Sequence, residues 1–177
     1  MNPRCYRLSA RALLAALLFV MAGGYARAEM SIDAPLVVAD SVLVVKSERK
    51  LYLLKNGEVL RAFDVALGLM PRGPKEREGD SRTPEGKYFL ETRNADSNFF
   101  LSIKVSYPNA ADRARAAKMG VDPGGQIMIH GWPNEPKRDP AYYRSSDWTD
   151  GCIAVSNSDM VDIWLMTRES TPIEIRP

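Results

Sequence analysis

Between two β-rich runs, residues 51–55 and 59–67, the chain carries Asn56-Gly57. Two residues that both tolerate positive φ, flanked by apolar alternation, read as the turn of a two-residue β-hairpin. A hairpin so early commits the chain to an antiparallel sheet edge, and the rest of the sequence keeps supplying short strands. Residues 42–46 precede the hairpin; 88–92, 99–107, 126–130, 153–155 and 172–175 come after it. Leu101, Ile103 and Val105 recur in period two, and Ile127 and Ile129 share one face with His130 and Met128 on the other. Residues 71–84, rich in Pro, Gly and charge, read as a loop. Two helices are expected: residues 110–119, capped by Asn109 and closed by Gly120, and one opened by Ser156-Asn157-Ser158-Asp159 with Met160, Ile163 and Trp164 on one face. The expected fold is mainly β with minor α, in one domain without internal repeats.

Residues 1–28 read as a secretory leader. Arg4, Arg7 and Arg11 form a basic start, residues 12–22 are an uninterrupted apolar run, and Ala26-Arg27-Ala28 supplies a cleavage site. A membrane-spanning helix needs about 20 apolar residues, so no span is expected in the mature chain. The organisation expected is leader 1–28, an extended arm 29–39 and one folded domain over 40–176, with a periplasmic location. The leader holds four of the 24 basic residues and no acid, so the formal charge turns from +2 to −2 on its removal. There is no basic stripe with interleaved aromatics, which argues against nucleic-acid binding. Cys5 leaves with the leader, so no internal disulfide is expected and packing must supply the stability.

That leaves one cysteine and one histidine, Cys152 and His130, 22 residues apart. His130 ends an apolar strand and leads into Gly131-Trp132; Cys152 follows Asp147-Trp148-Thr149-Asp150-Gly151 and opens a short β-branched stretch. Paired strands would bring imidazole and thiol together, and the imidazole is expected to stabilise a nucleophilic thiolate. Successive backbone N–H groups around Gly151 and Cys152 can form an oxyanion nest. No acid is placed to orient His130, so a main-chain carbonyl, that of Gly131, is the expected partner. One His and one Cys do not make a zinc site, and no nucleotide-binding glycine motif is present, so neither metal nor other cofactor is expected. The reaction class implied is acyl transfer through a thioester.

Papain-like and NlpC-type peptidases carry Cys before His, and sortases separate the two much further. His130-Gly131, then Thr149-Asp150-Gly151-Cys152-Ile153, resembles the motif of the L,D-transpeptidases with a YkuD-type domain. Asp80-Ser81-Arg82-Thr83-Pro84-Glu85-Gly86 is similar to that family's Asp-x-x-Thr-Pro-x-Gly loop, and the resemblance covers roughly residues 40–176. It implies a β-sandwich-like mixed sheet with a short helix after the cysteine strand. It also implies Cys152 as nucleophile, His130 as general base and acid, Gly151 and Gly131 as main-chain contributors, and peptidoglycan stem peptides as substrate. The acyl group would pass to an amine or a wall-attached protein. An L,D-carboxypeptidase or an amidase releasing a peptide from the wall shares the same residues, and a non-catalytic wall-binding module is a third reading. Many members carry Arg two residues after the cysteine, where this chain has Ala154. Arg82, Lys75 or Arg144 is therefore expected to hold a substrate carboxylate. Trp132 and Trp148 are expected to wall the pocket, Thr149 to contact substrate, and Asp150 to draw a cationic acceptor amine.

Overall fold

The computed structural model describes residues 36–177; the expected leader lies outside the described residues. Eight strands form one mixed sheet: β1 (Ser41–Val45), β2 (Lys50–Lys55), β3 (Glu58–Asp64), β4 (Gly86–Ser97), β5 (Phe100–Val105), β6 (Met128–His130), β7 (Ile153–Ala154) and β8 (Pro172–Arg176). Their spatial order is β3-β2-β1-β8-β4-β5-β6-β7, with β1–β8 and β6–β7 parallel and the other pairs antiparallel. Asn56 and Gly57 turn the β2–β3 hairpin with φ of 52° and 84°, as the sequence predicts. Three helices accompany the sheet: α1 (Ala110–Met119), α2 (Pro140–Ser145) and α3 (Asn157–Met166).

β4 is more than twice the expected length. Gly86–Phe89 pair with β8, whereas Leu90 and the residues beyond it pair with β5. One strand thus joins the N-terminal half of the sheet to the half that carries His130 and Cys152. The expected return strand over 59–67 ends at Asp64, but the chain beyond it does not leave the sheet. Ala66 exchanges both backbone hydrogen bonds with Ala154 of β7, at 2.8 and 2.9 Å, and Gly68 bridges to Thr149. The segment after β3 is therefore tied to β7, the strand at the opposite end of the sheet order.

Inward side chains alternate as the period-two pattern requires: Val42 and Val44, Leu51 and Leu53, Tyr88 and Leu90, Ile103 and Val105, with Ile129 and Ile153. Each such burial contributes about 2 kcal/mol. α3, begun by Ser156 accepting a hydrogen bond from Asp159 N–H, packs Met160 and Ile163 on this core. The helix expected at 110–119 is found with both its Asn109 capping box and its Gly120 stop. No helix of the described residues is long and apolar enough to cross a membrane.

The loop between β3 and β4 is held by buried charge. Lys46 is 2% exposed and donates to the carbonyls of Gly73 and Thr83 and, at 2.8 Å, to Glu85. Burial lowers its pKa from the ordinary lysine value, opposed by Glu85. Asp80 accepts from Lys75 and from the N–H groups of Glu76, Arg77 and Arg82. Burial works against its charge, but these donors hold its carboxyl below the usual range. Thr83 Oγ1 in turn accepts from Gly68 N–H at 3.1 Å. The Asp-x-x-Thr-Pro segment is a brace whose last contacts face the cysteine loop.

Candidate active site

β6 and β7 run parallel with Ile129 opposite Ile153 and His130 opposite Ala154. Cys152 stands one residue before β7, level with Met128, so His130 and Cys152 occupy diagonal positions on one face. Both line a cleft of about 600 Å³ together with Ser102, Gln126, Phe99 and Trp148. His130 is 4% exposed. Its Nδ1 lies 2.7 Å from the carbonyl oxygen of Gly131. A carbonyl can only accept, so Nδ1 carries the proton and Nε2 keeps its lone pair.

Aromatic rings close around the imidazole. Phe99, from the β4–β5 turn, lies 4.6 Å from it between centroids, and Trp148 stands edge-on at 5.7 Å. Burial pushes the His130 pKa below the ordinary histidine value, only partly opposed by the Gly131 contact. The thiol is half-buried; its Sγ accepts from Met128 N–H at 3.4 Å and donates to Gln126 O at 3.5 Å. Burial pushes the Cys152 pKa up and the Asp150 charge adds to that, against Met128 N–H and Lys75. Both shifts work against an imidazole-stabilised thiolate and towards thiol and neutral imidazole, because the charged forms lose their water in this setting.

The resting state sets a pH dependence. Because the thiol pKa is raised, the alkylation rate of Cys152 by iodoacetamide should climb with pH through and above the ordinary thiol range. It should lag free cysteine at pH 7 and show no plateau near pH 6. A plateau at pH 6 that disappears in His130→Ala would demonstrate an ion pair instead.

The turn before the cysteine is shaped by Thr149 and Gly151. Thr149, expected to touch substrate, is buried; its Oγ1 donates to Cys152 O at 2.7 Å and accepts from Gly151 N–H at 3.1 Å. Gly151 N–H is thus occupied rather than offered to the cleft, and Gly131 N–H is shared between the carbonyls of Phe99 and Leu101. Gly151 has φ +127°, and a Cβ there would stand 2.6 Å from Arg82 O. Asp147 pins the whole turn: it accepts from Leu67 N–H at 2.9 Å and pairs with Arg49 at 2.8 Å.

The cationic candidates lie elsewhere. Arg82 turns its side chain to Pro74 O and Glu76, Lys75 is buried on Asp80, and Arg144 lies over the Trp132 ring. Trp132 itself faces a second hollow with Tyr143 and Arg144, away from the thiol. Trp148, Thr149 and Asp150 do line the cleft. Among the described residues its lining has no Lys or Arg and two carboxylates, Asp96 and Asp150. Sequence reading missed Phe99, Ser102, Asn94 and Asp96. The signal was present for Ser102, the one small polar residue in a strand of bulky ones.

Residues 39–175 match the model of the YkuD family, the L,D-transpeptidase catalytic domain, and the chain belongs to that family. It is 34% identical over 96 residues to the L,D-transpeptidase-family protein YafK of Escherichia coli strain K12, a match covering 51% of this chain and 37% of YafK. Among solved structures it is similar to the helical cell shape determining protein Pgp2 of Campylobacter jejuni, with a TM-score of 0.57, 27% identity, and 76% of this chain on 46% of that one. The fold is shared with an L,D-transpeptidase from Xylanimonas cellulosilytica, with a TM-score of 0.53, 15% identity, and 78% of this chain on 61% of that one. The chain spans about half or less of the length of YafK and Pgp2.

Proposed function

We propose that this chain is an exported cysteine acyltransferase of the L,D-transpeptidase type, acting on peptidoglycan stem peptides through a thioester on Cys152. One observation carries the reading: the thiol shares a cleft face with an imidazole whose Nδ1–H is committed to Gly131 O. That leaves Nε2 as the basic atom of the cleft. As Sγ bonds the donor carbonyl carbon, Nε2 takes the thiol proton; it then delivers it to the nitrogen that departs as the C–N bond breaks. An incoming amine reverses the sequence, giving its proton to Nε2 while the C–S bond breaks and the sulfur regains a proton. Because both shifts favour the neutral pair, proton transfer accompanies attack rather than preceding it. Export and a periplasmic location rest on the leader-like residues 1–28.

A second reading is favoured by the cleft's charge. A departing terminal D-residue carries a free carboxylate, for which the cleft lining offers two carboxylates and no cation among the described residues. An amidase that releases an amine-linked peptide or protein from the wall places no such group there. Mass spectrometry of muropeptides after incubation with the purified protein separates these readings. Cross-linked or amine-exchanged products support transfer; loss of an amine-linked appendage without new cross-links supports the amidase. Muropeptides identical to those treated with Cys152→Ala would refute both.

A further inference from the structure

β4 and β5 set a row of side chains beside His130 that the acyl-transfer steps do not use. The registers place Asn94 opposite Ser102 and Ser102 opposite His130. Residues directly opposite in a sheet share a face, so the three run side by side across three strands, and all line the cleft. Ser102 stands out: it is 6% exposed and borders the cleft, yet its hydroxyl makes no hydrogen bond among the described residues. The residue is packed in place while its hydroxyl stays open to the cleft, free to hydrogen-bond a ligand atom. Asn94 Oδ1 accepts from Asp96 N–H at 2.9 Å, which sets Asp96 at the lip of the same row, exposed and in no ion pair among the described residues.

Proton transfer fixes which half of the substrate lies here. Cys152 holds the acyl carbon on the β7 side of His130. The nitrogen that leaves, and the nitrogen that later attacks, must both reach Nε2 of His130. Whatever is attached to that nitrogen therefore extends from His130 away from β7, over Ser102 and Asn94. Resting on the proposed thioester reaction, we propose that Asn94, Asp96 and Ser102 form the subsite for the leaving and accepting amine half of the substrate. Ser102 hydrogen-bonds its main chain, and Asp96 selects for a positive charge on it.

The test uses the full-length protein, a stem-peptide donor and two acceptor amines of equal size, one neutral beyond its reacting amine and one with a second positive charge. In Ser102→Ala the KM for either acceptor should rise about three- to tenfold, the range for one neutral hydrogen bond. Ser102→Thr, which keeps the hydroxyl, should recover most of it. Asp96→Asn should erase the preference for the charged acceptor, and added salt should do the same to the wild type. An acceptor KM unmoved in Ser102→Ala overturns the subsite, as does a charge preference that follows Asp150→Asn and not Asp96→Asn. A wild-type protein that gains no donor mass on Cys152 overturns the thioester reaction and the subsite together, so intact mass tells the two failures apart.

Discussion

Replacing Cys152 with alanine is expected to abolish covalent capture and turnover alike. Resemblance to the L,D-transpeptidases implies that a carbapenem acylates the nucleophile, so the wild type should gain one adduct in intact-mass spectra and Cys152→Ala none. Muropeptide turnover should fall by on the order of a million-fold, as when a covalent nucleophile is deleted elsewhere. His130→Ala keeps the thiol and removes the base. Since burial raises the thiol pKa, the thiol does not readily ionise without the base, and acylation should slow by about 10²- to 10⁴-fold. An adduct that persists on Cys152→Ala would move the chemistry to another residue.

Gly151→Ala is expected to be the most damaging conservative change in the fold. Its φ of +127° disfavours any side chain, and the added methyl would stand 2.6 Å from the Arg82 carbonyl and 3.3 Å from Ile127. Those neighbours cannot yield independently, because Gly68 presses on the same spot: a Cβ at Gly68 would meet Ser81 O at 2.2 Å and Gly151 Cα at 3.1 Å. Backbone strain and overlap together should cost about 3 kcal/mol, lowering Tm by roughly 10 °C. Gly79→Ala provides the comparison, having positive φ but no atom within 4 Å of the added Cβ. It should cost about 1 kcal/mol, and calorimetry of the two variants checks the difference. Equal losses would mean that conformation alone, not the three-loop contact, makes glycine necessary before the cysteine.

Much of the framework was legible because local chemistry dictates it. Asn56-Gly57 makes its hairpin, Asn109 and Ser156 cap their helices, and the 126–130 run turns His130 to the face opposite Ile127 and Ile129. The carbonyl of Gly131 was legible by default, from the lack of a suitable acid. α2 was missed although Asp139 and Pro140 signal its start; six residues give no periodicity to read. The end of β4 was missed because Asn94 and Asp96 face a cleft rather than a core, so apolar alternation stops while the strand continues. The cations misled for a related reason. Nearness in sequence to a motif says nothing about direction, and Arg82, Lys75 and Arg144 each satisfy their charge or ring face on neighbours outside the cleft. Distant pairings decide the thiol's setting, and no local pattern encodes them.

Those distant pairings bear on when the molecule becomes reactive. Arg49 and Asp147 are separated by 98 residues, Leu67 and Asp147 by 80, and the two-residue strand bearing Ala154 is completed on one side by Ala66. Contacts across such separations form only once large loops have closed, which places them late in the ordering of a chain. Until then His130 and Cys152 are an ordinary imidazole and an ordinary thiol in water, without cleft, carbonyl anchor or aromatic walls. The general base and its cleft exist only in the closed sheet, so a chain that is still extended carries a readily alkylated thiol but no means of acyl transfer.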